Sequence, residues 1–152
     1  VQTKKKVSVS DILDAKNKEK IAVLTAYDYS TSLICDRAGI DVLLVGDSAS
    51  MVVLGHASTV RVGMPEMLMF CGAVSRGSKR AMIVGDMPFG SYQPSPATAV
   101  ENAVALVKAG CDAVKLEGGL EIVSTIRAIV DAGIPVMGHI GLKPQTSALW
   151  EG

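Results

Sequence analysis

Five short aliphatic runs punctuate the chain, at residues 21–25, 42–45, 81–84, 113–116 and 134–137. Their length and Val/Ile/Leu content are those of strands buried on both faces. Longer segments between them carry apolar residues at helical spacing. Residues 30–38 read as a helix closed by Gly39 at its C-terminal end. Pro65 sits where another helix starts, and that helix runs to about Arg76, before Gly77. Ser95-Pro96 offers an N-cap followed by a proline at the first helical position. Ala97, Val100, Ala103, Val104 and Val107 then share one face, and Gly110 closes the segment. A further helix is predicted over about 120–132, with Val123, Ile126, Ile129 and Val130 at helical spacing. An extra N-terminal helix is expected over 10–15, with Ser10 as its N-cap. The stretch after the second run, through Gly55-His56-Ala57-Ser58-Thr59, reads as a longer polar connection.

Strand followed by helix, repeated along the chain, predicts parallel strands joined by right-handed crossovers. The expected organisation is one α/β domain over 1–152. Residues 1–19 form an N-terminal arm and helix, and 20–152 hold five strands with their helices. No internal sequence repeat, low-complexity tract or linker-like change in composition interrupts it.

Composition narrows the class. The 152 residues are 49% hydrophobic and only 4% aromatic, with 15 Lys+Arg against 15 Asp+Glu. So apolar and balanced a chain is not disordered. It has no basic excess with which to neutralise phosphates, so nucleic acid is not an expected partner. No apolar run approaches a membrane span, and no cationic start leads into an apolar signal segment. Three scattered cysteines, Cys35, Cys71 and Cys111, read as reduced thiols of an intracellular protein. The Lys4-Lys5-Lys6 triplet reads as a solvated arm.

The chemistry is concentrated where the runs end, at Asp28, Asp47, Asp86, Glu117 and His139. In a parallel α/β fold all strand C-termini lie on one side, so residues distant in sequence converge there. Any one such acid reads equally well as a helix N-cap. Taken together, clustered carboxylates repel unless something positive stands among them. A hard divalent cation such as Mg²⁺, which takes oxygen ligands and keeps several waters, suits Asp47, Asp86 and Glu117. His139 is a poorer ligand for Mg²⁺ and a better substrate contact. Lys115, two residues before Glu117, points to the same side of its strand. There it is either paired or functional, or it lies at an edge and reaches to water. Gly118-Gly119 has no phosphate-binding fingerprint around it.

Several blocks then carry a resemblance. They are Thr25-Ala26-Tyr27-Asp28-Tyr29, Leu44-Val45-Gly46-Asp47-Ser48, Asp86-Met87-Pro88-Phe89-Gly90-Ser91-Tyr92, Val114-Lys115-Leu116-Glu117-Gly118-Gly119 and Gly138-His139-Ile140-Gly141-Leu142, the last followed by Pro144-Gln145. In this order they resemble the ketopantoate (3-methyl-2-oxobutanoate) hydroxymethyltransferase family. The resemblance implies a (β/α)₈ TIM barrel of the phosphoenolpyruvate mutase/isocitrate lyase superfamily, here about its first five βα units. It implies transfer of a one-carbon unit from 5,10-methylenetetrahydrofolate to the 2-oxo acid 3-methyl-2-oxobutanoate, giving ketopantoate for pantothenate and coenzyme A synthesis. It implies Mg²⁺ or a similar cation on Asp47, Asp86 and Glu117. Substrate contacts are implied at Asp47, Ser48, Asp86, Lys115 and His139. A cytoplasmic homo-oligomer, typically a decamer, is implied as well. The family's general base is a glutamate at the end of the sixth strand, so none is assignable here and the expected glutamate lies beyond Gly152. Ala57 stands where an acidic or similar polar residue is common, and Glu151-Gly152 where a glycine pair is frequent. Two other readings are kept: a 2-oxo-acid lyase or mutase of the same superfamily, and a non-catalytic piece that associates through an open strand edge.

Overall fold

The computed structural model describes residues 5–149. Lys4 and the Glu151-Gly152 departure lie outside them. Each aliphatic run becomes a strand: β1 (Val23–Thr25), β2 (Val42–Val45), β3 (Met82–Asp86), β4 (Ala113–Glu117) and β5 (Val136–His139). They form one sheet in the order β1-β2-β3-β4-β5, every pair parallel. Helices α1 (Val9–Ala15), α2 (Tyr29–Ala38), α3 (Ala49–Val52), α4 (Met64–Gly77), α5 (Pro96–Lys108) and α6 (Val123–Asp131) complete the chain. Among the described residues no helix is long and apolar enough to cross a membrane.

Alternation along the strands makes two cores. Leu43, Val45, Ile83, Val114 and Leu116 face the helices and join Met67, Phe70, Val74, Ala103, Leu106 and Ile129. Val42, Met82, Val84 and Ala113 face the other way and meet Val9 and Ile12 of α1. Helix α1 thus covers the foot of the sheet's inner face, and the side chains at the opposite, C-terminal end are left for chemistry. The outer strand β1 is exposed, with Val23 and Leu24 each at 48%.

Several sequence expectations shift in detail. The cap of α1 is Ser8, not Ser10. Asp11 lies three residues after Ser8 and its carboxylate accepts from the Ser8 N–H at 2.8 Å, a reciprocal cap that Leu13 could not give Ser10. Asp28 caps α2 by accepting from the Thr31 N–H at 2.8 Å, which holds its carboxyl below the ordinary range. Gly39 closes α2 with φ of +90°, the left-handed value that favours glycine. The buried stripe of α5 is Ala99, Ala103 and Leu106, rotated from the expected one, and Ala97 and Val107 are exposed. The segment expected as one helix over 120–132 splits into a 3₁₀ turn, Leu120–Ile122, and α6. The polar connection after β2 contains α3, and Pro144–Leu149 forms a 3₁₀ segment. Lys6 is not simply solvated; it pairs with Asp112 at 2.8 Å.

All three cysteines are free and buried. Cys71 and Cys111 pack together behind β3. Contact with Cys111, then burial, drives the Cys71 thiol far above its usual range. Gly85 permits this approach, since a Cβ there would stand 2.7 Å from Cys111 Sγ and 3.1 Å from Cys71 Sγ. Gly85→Ala should therefore cost about 1–3 kcal/mol through overpacking. A urea titration would register this as a lower midpoint at unchanged slope, and an unchanged midpoint would show that the sulfurs yield freely.

Candidate active site

Strand register assembles a polar cluster at the C-terminal end of the sheet. Asp86 and Lys115 are lateral partners across β3 and β4, and Glu117 and His139 are partners across β4 and β5. Because Asp86, Lys115 and Glu117 share the inward phase of the pleat, their side chains lie on one face. Lys115 Nζ lies 2.8 Å from Asp86 Oδ1, with the two side chains 11% and 5% exposed. Lys115 is therefore paired in the interior and does not reach to water at an edge. His139 Nδ1 stands 3.3 Å from Glu117 Oε1, a contact without hydrogen-bond alignment.

Asp47 lies two residues past the end of β2. Its backbone N–H donates to Asp86 Oδ2 at 3.0 Å, which brings the two carboxylates onto adjacent strand ends. Burial is the main influence on Asp86 and pushes its carboxyl up. Lys115 opposes that shift, the Asp47 charge adds to it, and the result is about 6. Ser48 shares a hydrogen bond of 2.8 Å with the Tyr27 hydroxyl, which fixes its side chain at the rim of the cluster.

Two side chains absent from the expected site hold it together. Gln145 is buried, and its Nε2 donates to Asp47 Oδ2 at 2.8 Å and to the Met87 carbonyl at 3.0 Å. Its backbone N–H donates to Glu117 Oε2 at 3.1 Å. The Tyr92 hydroxyl lies 2.7 Å from Gln145 Oε1 and 2.9 Å from the Glu117 carbonyl, and accepts from the Glu117 N–H at 3.3 Å. Neither residue shows in strand-end periodicity. Their signal lay in the matched blocks, where Tyr92 closes one and Gln145 follows Pro144.

The donor set can be tested against the divalent cation that the resemblance implies. Asp47 and Asp86 offer hard carboxylate oxygens in a buried place, and the Lys115 ammonium beside Asp86 partly answers their mutual repulsion. That chemistry fits a Mg²⁺-like ion, which needs few protein ligands. Among the described residues, however, no three acidic, histidine or cysteine side chains stand close enough together to enclose a metal. Glu117 is linked to Asp47 through Gln145. Asp28, capping α2, lies outside the cluster altogether.

A parallel βα array with acids, a lysine and a histidine at its strand ends defines a class by fold. The same fold is seen in 2,3-dimethylmalate lyase, a PEP mutase/isocitrate lyase superfamily member. That similarity has a TM-score of 0.66 at 20% identity, over 88% of this chain and 52% of the lyase. It recurs in phosphoenolpyruvate phosphomutase from Streptomyces platensis subsp. rosaceus, with a TM-score of 0.68 at 17% identity, over 83% of this chain and 51% of that one. Within that class, the chain belongs to the ketopantoate hydroxymethyltransferase family, whose model matches residues 6–152. It is 58% identical over 146 residues to 3-methyl-2-oxobutanoate hydroxymethyltransferase of Nitrosopumilus maritimus, covering 95% of this chain and 52% of that protein. With the like-named protein of Aeropyrum pernix it shares 57% over 140 residues, covering 92% of this chain and 51% of that protein. The chain thus spans about half the length of the curated relatives it matches.

Proposed function

We propose that the protein to which this chain belongs transfers a hydroxymethyl group from 5,10-methylenetetrahydrofolate to 3-methyl-2-oxobutanoate, forming ketopantoate. The observation that carries this reading is the buried Lys115–Asp86 pair, set beside Asp47 on adjacent strand ends, within a chain of this family. A 2-oxo acid that loses its C3 proton becomes an enolate whose charge accumulates on the former keto oxygen. A preorganised cation in a dry site stabilises such charge far better than water does. The Lys115 ammonium is that cation among the residues of this chain. Asp86 orients it, and the Asp47 N–H in turn orients Asp86.

Asp47 and Asp86 would hold a divalent cation, with Glu117 as the further acid that the family resemblance assigns to it. Such an ion supplies Lewis-acid polarisation of a keto oxygen. Ser48 and His139, at the two sides of the cluster, are proposed to contact the 2-oxo acid's carboxylate. No residue up to Gly152 is assigned as general base. A homo-oligomer is proposed as the working form, to be read from the mass in solution by light scattering.

The test is isotope exchange. The protein, Mg²⁺ and 3-methyl-2-oxobutanoate are mixed in deuterated water without folate, and the C3–H signal is followed by NMR. Metal-dependent loss of that signal is expected, with ketopantoate appearing only when 5,10-methylenetetrahydrofolate is added. Persistence of the C3–H signal would refute the enolate chemistry. Exchange followed by C–C cleavage instead of ketopantoate formation would favour a lyase.

A further inference from the structure

Gln145 makes more directional contacts within the cluster than any acid there, although it carries no charge. Its carboxamide orientation is determined by its neighbours. Nε2 faces two acceptors, Asp47 Oδ2 and the Met87 carbonyl, while Oε1 faces the Tyr92 hydroxyl. Turning the amide over would set its oxygen against a carboxylate and a carbonyl, leaving both buried acceptors unanswered. The Tyr92 hydroxyl is tied on its other side to the backbone of Glu117. The chain of contacts therefore runs from the end of β4 through Tyr92 and Gln145 to the acid that follows β2. It closes through the Gln145 N–H on the Glu117 side chain.

We propose that Gln145 is a positioning residue for this reaction: its side chain fixes the Asp47 carboxylate, its backbone N–H fixes the Glu117 carboxylate, and Tyr92 locks the carboxamide that does so. The proposal rests on reading Asp47 and Asp86 as the cation's ligands. A carboxylate that must bind a cation and a substrate in one geometry gains from a neutral donor, which orients it without supplying a competing charge. Partners of this kind behind a ligand typically govern metal affinity by 10- to 100-fold. Tyr92 acts on Asp47 only through Gln145, so that part of its contribution exists only while the carboxamide is present.

The experiment compares wild type, Gln145→Leu, Tyr92→Phe and the double variant in the protein otherwise unchanged. Two readouts are taken. The first is Mg²⁺ binding to the metal-free protein by calorimetry. The second is hydrogen exchange of the Gln145 side-chain amide by NMR, in wild type and Tyr92→Phe. Expected are slow amide exchange in wild type and exchange at least tenfold faster in Tyr92→Phe. Mg²⁺ affinity should fall about tenfold or more in Gln145→Leu, and less in Tyr92→Phe. In the double variant the two losses should fall short of adding in full, because the Tyr92–Gln145 contact can be lost only once. Wild-type affinity in Gln145→Leu would overturn the proposal, as would a Tyr92→Phe loss that adds in full. If Gln145→Leu does not fold, Tyr92→Phe decides: unchanged amide exchange overturns the proposal, and faster exchange with weaker binding supports it. A wild type that shows a slowly exchanging amide but no Mg²⁺ binding would defeat the cation reading instead, and the two failures are thereby distinguished.

Discussion

Replacing Lys115 by Met should lower kcat/KM by about 10²–10³-fold while leaving the fold standing, because one preorganised charge donor is worth that much at a developing oxyanion. The expectation of a surviving fold has its own physical basis. Lys115 is the cation 2.8 Å from Asp86 and pulls its carboxyl down against burial. Without it, Asp86 stands buried beside Asp47 with both influences acting upward. A buried acid in that position takes up a proton in preference to remaining an uncompensated anion. The stability loss is then held to about 1–2 kcal/mol, less than the 3–5 kcal/mol expected when a buried charge is stranded. Mg²⁺ binding should move to higher pH in the same variant. Steady-state kinetics, a thermal melt and Mg²⁺ titrations at two pH values check all three parts. Unaltered turnover would remove Lys115 from the chemistry.

Stabilisation by Mg²⁺ should be strongly pH-dependent, because Asp86 must lose a proton before a cation can take its oxygens. In the unfolded chain an aspartate titrates near its ordinary value, whereas burial raises Asp86 to about 6 in the folded protein. The folded state therefore holds this proton more tightly. The corresponding stability is fully present below the ordinary aspartate range and is lost as pH rises through about 6. Above that, the bare carboxylate costs roughly 3 kcal/mol relative to its protonated form, from a shift of about two pH units. A cation offsets that cost where the proton no longer does. At about pH 7.5, Mg²⁺ at a hundredfold excess over its Kd should add about 2.7 kcal/mol. For a chain of this size that is several degrees in Tm. At about pH 5, where only about a tenth of Asp86 is ionised, the gain at the same Mg²⁺ concentration should fall to about half. Melts with and without Mg²⁺ at both pH values test this, and equal gains would mean that Asp86 does not ligate the ion.

Much of this architecture was legible because its determinants are local. Five aliphatic runs mark five strands, and a polar residue at the end of each run marks the face where the parallel order gathers them. The inward phase of Lys115 followed from its two-residue distance to Glu117, which alternation alone dictates. What escaped depends on partners far away or on competition between neighbours. Ser10 and Ser8 are both competent caps, and only the Asp11 carboxylate at the third helical position decides between them. Tyr92 and Gln145 follow no strand period; Tyr92 sits in a loop and Gln145 in a short 3₁₀ segment, and their roles arise from contacts across 25 and 98 residues. Asp28 shows the opposite case, a strand-end acid with the right pattern whose side chain is taken by the next helix.

The span of the Gln145–Asp47 contact also bears on when the site comes into being. Ninety-eight residues separate the two partners, so a chain emerging from the ribosome exposes Asp47 long before the residue that orients it. At about 5–20 residues per second, that interval is on the order of 5–20 s. During it β2 and β3 can pair, but Asp47 awaits its clamp. Under the proposed function, cation capture would wait on the arrival of the segment after β5.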